Sequence, residues 1–372
     1  MTCARSLSGQ RRHARGVALI SALLIAAVVA GIAATLTRHQ RFLIALASAQ
    51  QETAAAGALV EALETIALTA LAQDAALGAV DWPGEAWAST PVDAREGELA
   101  AHGVLEDLQG KFNLTNLAFD PASGPTEGGR RDGKDDENPG DGTPGVDVLR
   151  TVAASHGLVL GAASVAGKAG KRDLMPHEIA AARFLLLVKA LGLEPSLVPA
   201  VLDFIDADQE TRFPGGAEDD YYSARRDQPY RCANRRLADP SELLKIKGIT
   251  PAIYAKLKPF VTTLDVATPV NVNTAPAEVL MSLSPALDRS TADALVQARA
   301  AQPWLDMASF LASPALAGRP VAPAALAVAT STFALRTRID GAGQPKYFLS
   351  VLRRNGGRDL RVTRREQSYV AP

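Results

Sequence analysis

Cysteine is nearly missing from this chain: two in 372 residues, Cys3 and Cys232. The five histidines, His13, His39, His102, His156 and His177, are scattered. His177-Glu178 lacks the second histidine of a zinc-protease helix, and neither His nor Cys accompanies the densest acidic cluster, which disfavours zinc. No Gly-x-Ser-x-Gly elbow occurs. Residues 161–168 depart from a phosphate loop, being one residue too long and followed by Ala169 instead of Ser or Thr. The chain is therefore read as no enzyme. A basic excess is also missing: 39 Lys and Arg face 40 Asp and Glu, for a net charge of −1. That argues against binding nucleic acid through phosphate attraction.

What the chain does have is an apolar run. Residues 17–36 contain no charge and are entered through Arg11, Arg12, Arg15 and Gly16. As a helix rising about 1.5 Å per residue, the run spans about 30 Å, the thickness of a bilayer's hydrocarbon core. A helix also satisfies its own backbone polar groups in lipid. Three readings compete for this end: a secretory signal, a plain signal anchor and a prepilin leader. A secretory signal has a shorter apolar region, of about 7–15 residues, and Ala33-Ala34-Thr35 makes a weak cleavage site. The short basic leader ending in glycine resembles a type IV prepilin, which implies cleavage between Gly16 and Val17 by a prepilin peptidase. Arg5, Arg11, Arg12 and Arg15 precede the run and no acid does, so that end is expected to stay cytoplasmic. Removing these four charges from −1 leaves −5 on the mature chain. Cys3 leaves with the leader, so Cys232 has no intramolecular partner.

The remaining length suits two domains. Residues 38–78 are Ala-rich and free of proline, with Leu59, Leu63, Ile66 and Ala70 at three- and four-residue spacing, predicting an amphipathic helix that prolongs the first. Trp82-Pro83-Gly84 ends it. Residues 104–114 predict two short strands about a turn at Gln109-Gly110. Residues 120–146 are Gly, Pro and charge and predict a loop without a core. From about 172 to 330 the pattern is helical. After 331, alternating stretches separated by Asp340-Gly341 and Asn355-Gly356-Gly357 predict an antiparallel meander.

The fold class expected is α+β: a long N-terminal helix and small antiparallel sheet, with a large all-α domain inserted. Its segments are 1–16 leader, 17–37 membrane span, 38–119 first part of the body, 120–146 loop, 147–330 inserted helical domain and 331–372 closing strands.

Two constellations stand out in the inserted part. Seven carboxylates fall within residues 203–220, opposed only by Arg212. Asp206, Asp208 and Glu210 alternate, and Gly215-Gly216 permits a return that brings back Glu218, Asp219 and Asp220. Calcium takes about six to eight oxygens from such loops. The glycine of an EF-hand's sixth position is absent, and a helix end followed by a hydrated acidic loop fits equally well. The second constellation, residues 241–257, reads as helix, Gly-containing hairpin and helix. Residues 269–280 start another such unit, with Asn273 or Thr274 as its expected helix cap. Thr250 stands where a DNA-binding hairpin needs its second glycine, so a packing or protein-contact module is the better reading.

The leader, the junction and residues 107–117, 202–222, 229–234, 237–248 and 270–276 together resemble the K-class minor pseudopilin of bacterial type II secretion systems, the GspK family. The resemblance covers most of the chain except 120–146. It implies a subunit at the tip of a short pseudopilus, helping to start assembly and protein export across the outer membrane. It implies an inner-membrane, single-pass protein with its bulk in the periplasm. Ser21 at the fifth mature position matches the family's missing glutamate. Implied partners are the I- and J-class minor pseudopilins, the major pseudopilin and prepilin peptidase, with secretin and secreted proteins as further contacts. Small Ala22, Ala26, Ala30 and Gly31 would let neighbouring spanning helices approach. The resemblance also implies calcium, with Asp206, Asp208, Glu210, Glu218, Asp219 and Asp220 as ligands. A disulfide that braces this region in some relatives is absent, since Cys232 is alone. The rival functions are a minor pilin of a type IV pilus and a membrane-anchored helix-hairpin-helix DNA receptor.

Overall fold

In the computed structural model of the chain, residues 10–118, 144–158, 160, 174–341, 343–355 and 359–368 are described, with side chains from residue 19 onward. A single helix, α1 (Gln10–Leu77), runs through the apolar stretch and far beyond it. Its latter half buries Ala56, Leu59, Val60, Leu63, Ala67 and Leu71. This stripe keeps the expected spacing, but Ile66 falls beside it and stays 45% exposed.

The strands, in chain order, are β1 (Val92–Glu96), β2 (Leu99–Asp107), β3 (Phe112–Asn113), β4 (Val261–Thr262), β5 (Val270–Asn271), β6 (Leu326–Ala327), β7 (Thr332–Asp340), β8 (Lys346–Asn355) and β9 (Asp359–Ser368). Five form one antiparallel sheet in the order β1-β2-β7-β8-β9. The hairpins expected after residue 331 are β7-β8-β9; Gly356 and Gly357 lie outside the described residues. One face of the sheet carries Ala101, Leu105, Phe333, Leu335, Ile339 and Leu352 onto the α1 stripe. Polar ties reinforce the contact. Buried Glu64 of α1 accepts from Ser350 Oγ at 2.6 Å and from Arg365 Nη2 at 2.5 Å.

The two strands expected about Gln109-Gly110 are β2 and β3, and they pair with other strands, not with each other. Asp107 accepts a hydrogen bond from the Gln109 N–H at 2.7 Å, closing a 3₁₀ turn over Leu108–Gly110. The chain then leaves the sheet, and β3 pairs in parallel with β4 from the distant helical part. That part is the larger core, running from Phe112 to Leu326. Its centre is the helix Pro176–Ala190, which is buried on nearly every side, against Leu197–Ile205 and Ala277–Met281. The expected loop 120–146 lies outside the described residues except for its last three, which open the helix Pro144–Ser155.

The two parts meet through buried polar groups as well as through the apolar cluster of Leu108, Leu264, Ala334 and Val351. Asp81, fully buried just past the end of α1, accepts from Thr330 N at 2.7 Å and from Arg354 Nη2 at 2.5 Å. Arg354 also reaches Asp74 at 3.1 Å. Asn271 Nδ2 donates to the Asp81 carbonyl at 3.0 Å and to Asp107 at 2.9 Å, and Asp107 also accepts from Thr274 Oγ1 at 2.5 Å. Asn273 joins Trp304 and the carbonyl of Val328. The capping role expected of Asn273 or Thr274 is therefore not observed: both side chains turn into the seam, and Pro276 precedes the helix. Asn113 bonds to Val266, Thr268 and Leu264, and Asn116 exchanges two hydrogen bonds with Thr268.

A buried ion pair that loses one partner leaves an uncompensated charge. Arg354→Met is therefore expected to destabilise the detergent-solubilised chain by about 3–5 kcal/mol in denaturant titration. The added change Asp81→Asn should recover part of that loss. Leu63→Ala, in the helix–sheet core, should cost about 2–5 kcal/mol.

Candidate cation site and assembly helix

The acidic cluster begins where the helix Leu197–Ile205 ends. Asp203 lies fully buried on its last turn, and Asp206 is its C-cap. The chain then loops out and returns through Gly215-Gly216, as the glycine pair suggested. Gly215 has φ +99°, a conformation glycine adopts freely. A side chain on Gly216 would run into Asp203 Oδ2 at 2.2 Å and the Arg212 carbonyl at 2.4 Å. The return sets Glu218 beside Asp206 and Asp208, and one carboxylate oxygen of each lies within 4.8 Å of the others.

Among the described residues, Arg212 is the one cation ion-paired with this group, bridging Asp203 at 2.8 Å and Asp206. It does not satisfy every oxygen. Among the described residues, no N–H or O–H donates to the buried Asp206 Oδ1 or to either buried carboxylate oxygen of Glu218, which has only the weak Cys232 thiol beside it. Glu218 is only 4% exposed. Burial, then the charges of Asp203 and Asp206, push the Glu218 carboxyl up to about 7. Burial likewise pushes Asp206 up to about 6, with Arg212 opposing and Asp208 and Asp203 adding to the rise. Buried carboxyl oxygens lacking N–H and O–H donors, on Asp206 and Glu218 pushed up by burial and by neighbouring acids, fit a hard divalent cation with oxygen ligands.

Of the six expected ligands, Asp206, Asp208 and Glu218 come together. Asp219 accepts from the Cys232 N–H at 2.7 Å, Glu210 and Asp220 are exposed, and none of these three joins the group. Asn234 was not anticipated. Its Oδ1 is also buried without a partner, and it lines the same cleft as Asp206 and Asp208. The local signal is an asparagine in left-handed conformation, φ 44°, which sequence does not reveal. Cys232 is a free, half-buried thiol, pushed up to about 12 by burial and then by Glu218.

A second acidic group, Asp74, Asp81 and Glu85, is of a different kind. Arg354 sits against Asp74 and Asp81, while Glu85 accepts from Trp82 N and Trp87 Nε1. Protein groups already satisfy it.

The other functional element is α1. Among the described residues it is the one helix long and apolar enough to cross a membrane. Leu19, Ile20, Leu23, Leu24, Ile25, Val28, Val29, Ile32 and Leu36 are all more than half exposed. Thr35 and Thr37 donate to the carbonyls of Gly31 and Ala33, which satisfies their hydroxyls within the helix. Gly16 and Val17 lie on the backbone of this helix, in its first turns.

This arrangement matches known proteins. A solved structure described as the GspK-GspI-GspJ complex from the enterotoxigenic Escherichia coli type 2 secretion system contains a chain of the same fold. It aligns at a TM-score of 0.63 and 22% identity, over 87% of this chain and 99% of that one. The type II secretion system protein K of Pseudomonas aeruginosa is 28% identical over 369 residues, 96% of this chain and 93% of its own length. That of Klebsiella pneumoniae is 40% identical over 142 residues, 36% of this chain and 43% of its own. The family profile "Type II secretion system (T2SS), protein K" matches residues 110–266 and again 270–330, more than half of the sequence. With long helix, sheet and inserted helical domain all in place, the chain belongs to the protein K family of type II secretion systems.

Proposed function

We propose that this protein is the minor pseudopilin at the tip of the type II secretion pseudopilus. There it helps start assembly and supports protein export across the outer membrane. The observation that carries this reading is the large helical domain, joined without a flexible seam to the body where α1 ends. A subunit so crowned leaves no room for an identical one above it. Partners of the I and J classes are proposed from the solved complex of similar fold. The major pseudopilin would pack beneath, and secretin or secreted proteins would meet the helical domain. The arginines before the apolar run support a cytoplasmic N-terminus, an inner-membrane span and a periplasmic body. Co-expression with I- and J-class subunits of the same system should yield one complex on affinity capture. Capture of type IV pilus subunits in their place would overturn the reading.

Prepilin peptidase is proposed to cut between Gly16 and Val17, leaving Ser21 fifth. Mass spectrometry of the native protein should find valine first. An intact leader, or a first residue past Ala33, would rule this out.

Calcium is proposed as the cation of the inserted domain, held by Asp206, Asp208 and Glu218 with Asn234 alongside. Glu210, Asp219 and Asp220 are left to complete the shell only if the loop closes further. Calcium at about 100 times its dissociation constant should stabilise the protein by about 2.7 kcal/mol. Thermal melts should show this shift in the native chain and lose it in Glu218→Gln. The pH dependence has a definite sign. Both carboxyls titrate higher folded than unfolded, so the cation-free protein binds more protons than its unfolded chain and loses stability as pH rises through about 6 and 7. The calcium-induced shift should therefore be full above about pH 7 and fade below about pH 6. A shift independent of pH would remove these two residues from the site.

A further inference from the structure

Charge is unevenly spread over this protein. Residues 221–258 hold nine Lys and Arg against three acids, Asp227, Asp239 and Glu242, a net of +6. The whole chain carries −1, so everything else sums to −7.

The contacts join much of this stretch into one strip. Lys247 Nζ stands 4.8 Å over the Tyr221 ring, and Tyr221 packs edge-on against Tyr222. Tyr222 meets Tyr230 with ring centres 5.1 Å apart. Arg225 lies over Tyr230 and donates to its hydroxyl at 2.9 Å, and that hydroxyl donates to the Lys245 carbonyl. Lys245 and Arg235 then share Glu242.

Two features make the strip a contact surface in addition to a solvated face. Two of its three acids are used internally, Asp239 capping the 3₁₀ turn Pro240–Lys245 and Glu242 taken by two cations, while Asp227 stays exposed. Among the described residues, no carboxylate lies within ion-pair distance of Arg225, Arg226 or Arg231. The same stretch also carries exposed apolar groups, Tyr221 at 43% and Leu244 at 41%. Exposed Tyr221 under Lys247, with Arg225 over Tyr230, matches the make-up of protein interfaces, where unpaired charge selects and steers the partner.

We infer that this Tyr221–Tyr230–Lys245 strip docks an acidic protein surface, that is, a partner presenting clustered carboxylates to the helical domain. The inference needs neither calcium nor the tip placement, since the strip is complete in the single chain. The phosphates of a nucleic acid are the rival ligand. The strip lacks the glycine-flanked hairpin that would bring backbone amides to phosphate, since Thr250 stands in that place.

The test uses the full-length chain in detergent and fluorescent poly-L-glutamate as the acidic probe. The native protein should bind it, and added salt should weaken the complex. Arg225→Glu/Arg226→Glu/Lys245→Glu should bind about tenfold more weakly. Arg95→Glu/Arg361→Glu, distant reversals on the sheet, should bind as the native chain does. If the triple variant fails to fold, Arg226→Glu alone, at an exposed side chain with no hydrogen bond or ion pair among the described residues, should still weaken binding. No binding by the native chain would overturn the inference, as would equal loss in both reversal sets. Tighter binding of a DNA duplex than of poly-L-glutamate would overturn it in favour of a phosphate site.

Discussion

The Asp81–Arg354 ion pair organises this molecule. A carboxylate with no solvent exposure is tolerated only where a cation and further donors meet it. Here they come from Arg354 on β8 and the Thr330 amide just before β7. The end of α1, the last two hairpins of the sheet and the exit from the helical domain must therefore converge on one point. The neighbouring amides extend the arrangement: Asn271 ties the Asp81 carbonyl to Asp107, and Gln109 ties the turn after β2 to Ser331. Because these groups are buried, moving one part against the other would leave several unpaired at once, each at a cost of about 1–3 kcal/mol. The inserted domain is therefore held in a fixed orientation on the body.

The two acidic groups illustrate how such charge can be settled. At Asp74 and Asp81 the chain supplies its own cation, a guanidinium fork placed by a strand. At Asp206, Asp208 and Glu218, Arg212 covers only the Asp203–Asp206 side, and among the described residues no N–H or O–H donates to the buried Glu218 oxygens. The contrast lies in the donors, since the count of acids is similar. It supports assigning an external cation to the second group and none to the first.

The same domain concentrates positive charge next to this loop. Lys247, part of the tyrosine strip, donates to the Gly216 carbonyl at 2.9 Å, and its amide donates to the Tyr222 hydroxyl at 3.1 Å. The acidic loop and the basic strip are thus adjoining parts of one surface.

Periodicity and punctuation determined the elements. The charge-free run, the apolar stripe of α1, the alternating stretches after residue 331 and the paired glycines before Glu218 were all legible, because each is a local demand of backbone or burial. The family resemblance was legible too, through short motifs spread along the chain. What no local rule contained was pairing at a distance. Residues 104–114 read as two strands about a turn and fold so, yet β3 pairs with distant β4, and Asp107 is consumed by Asn271 and Thr274, over 160 positions away. Asn273 and Thr274 look like a helix cap, and burial in the seam takes them instead. Six acids were equal candidates along the chain. Only the folded loop separates the three that converge from Asp219, which holds the Cys232 amide, and only the fold brings Asn234 into the cleft of Asp206 and Asp208. Local sequence sets where a chain turns and which face is greasy; which buried polar groups meet depends on the packing of distant segments, and tertiary structure alone decides that.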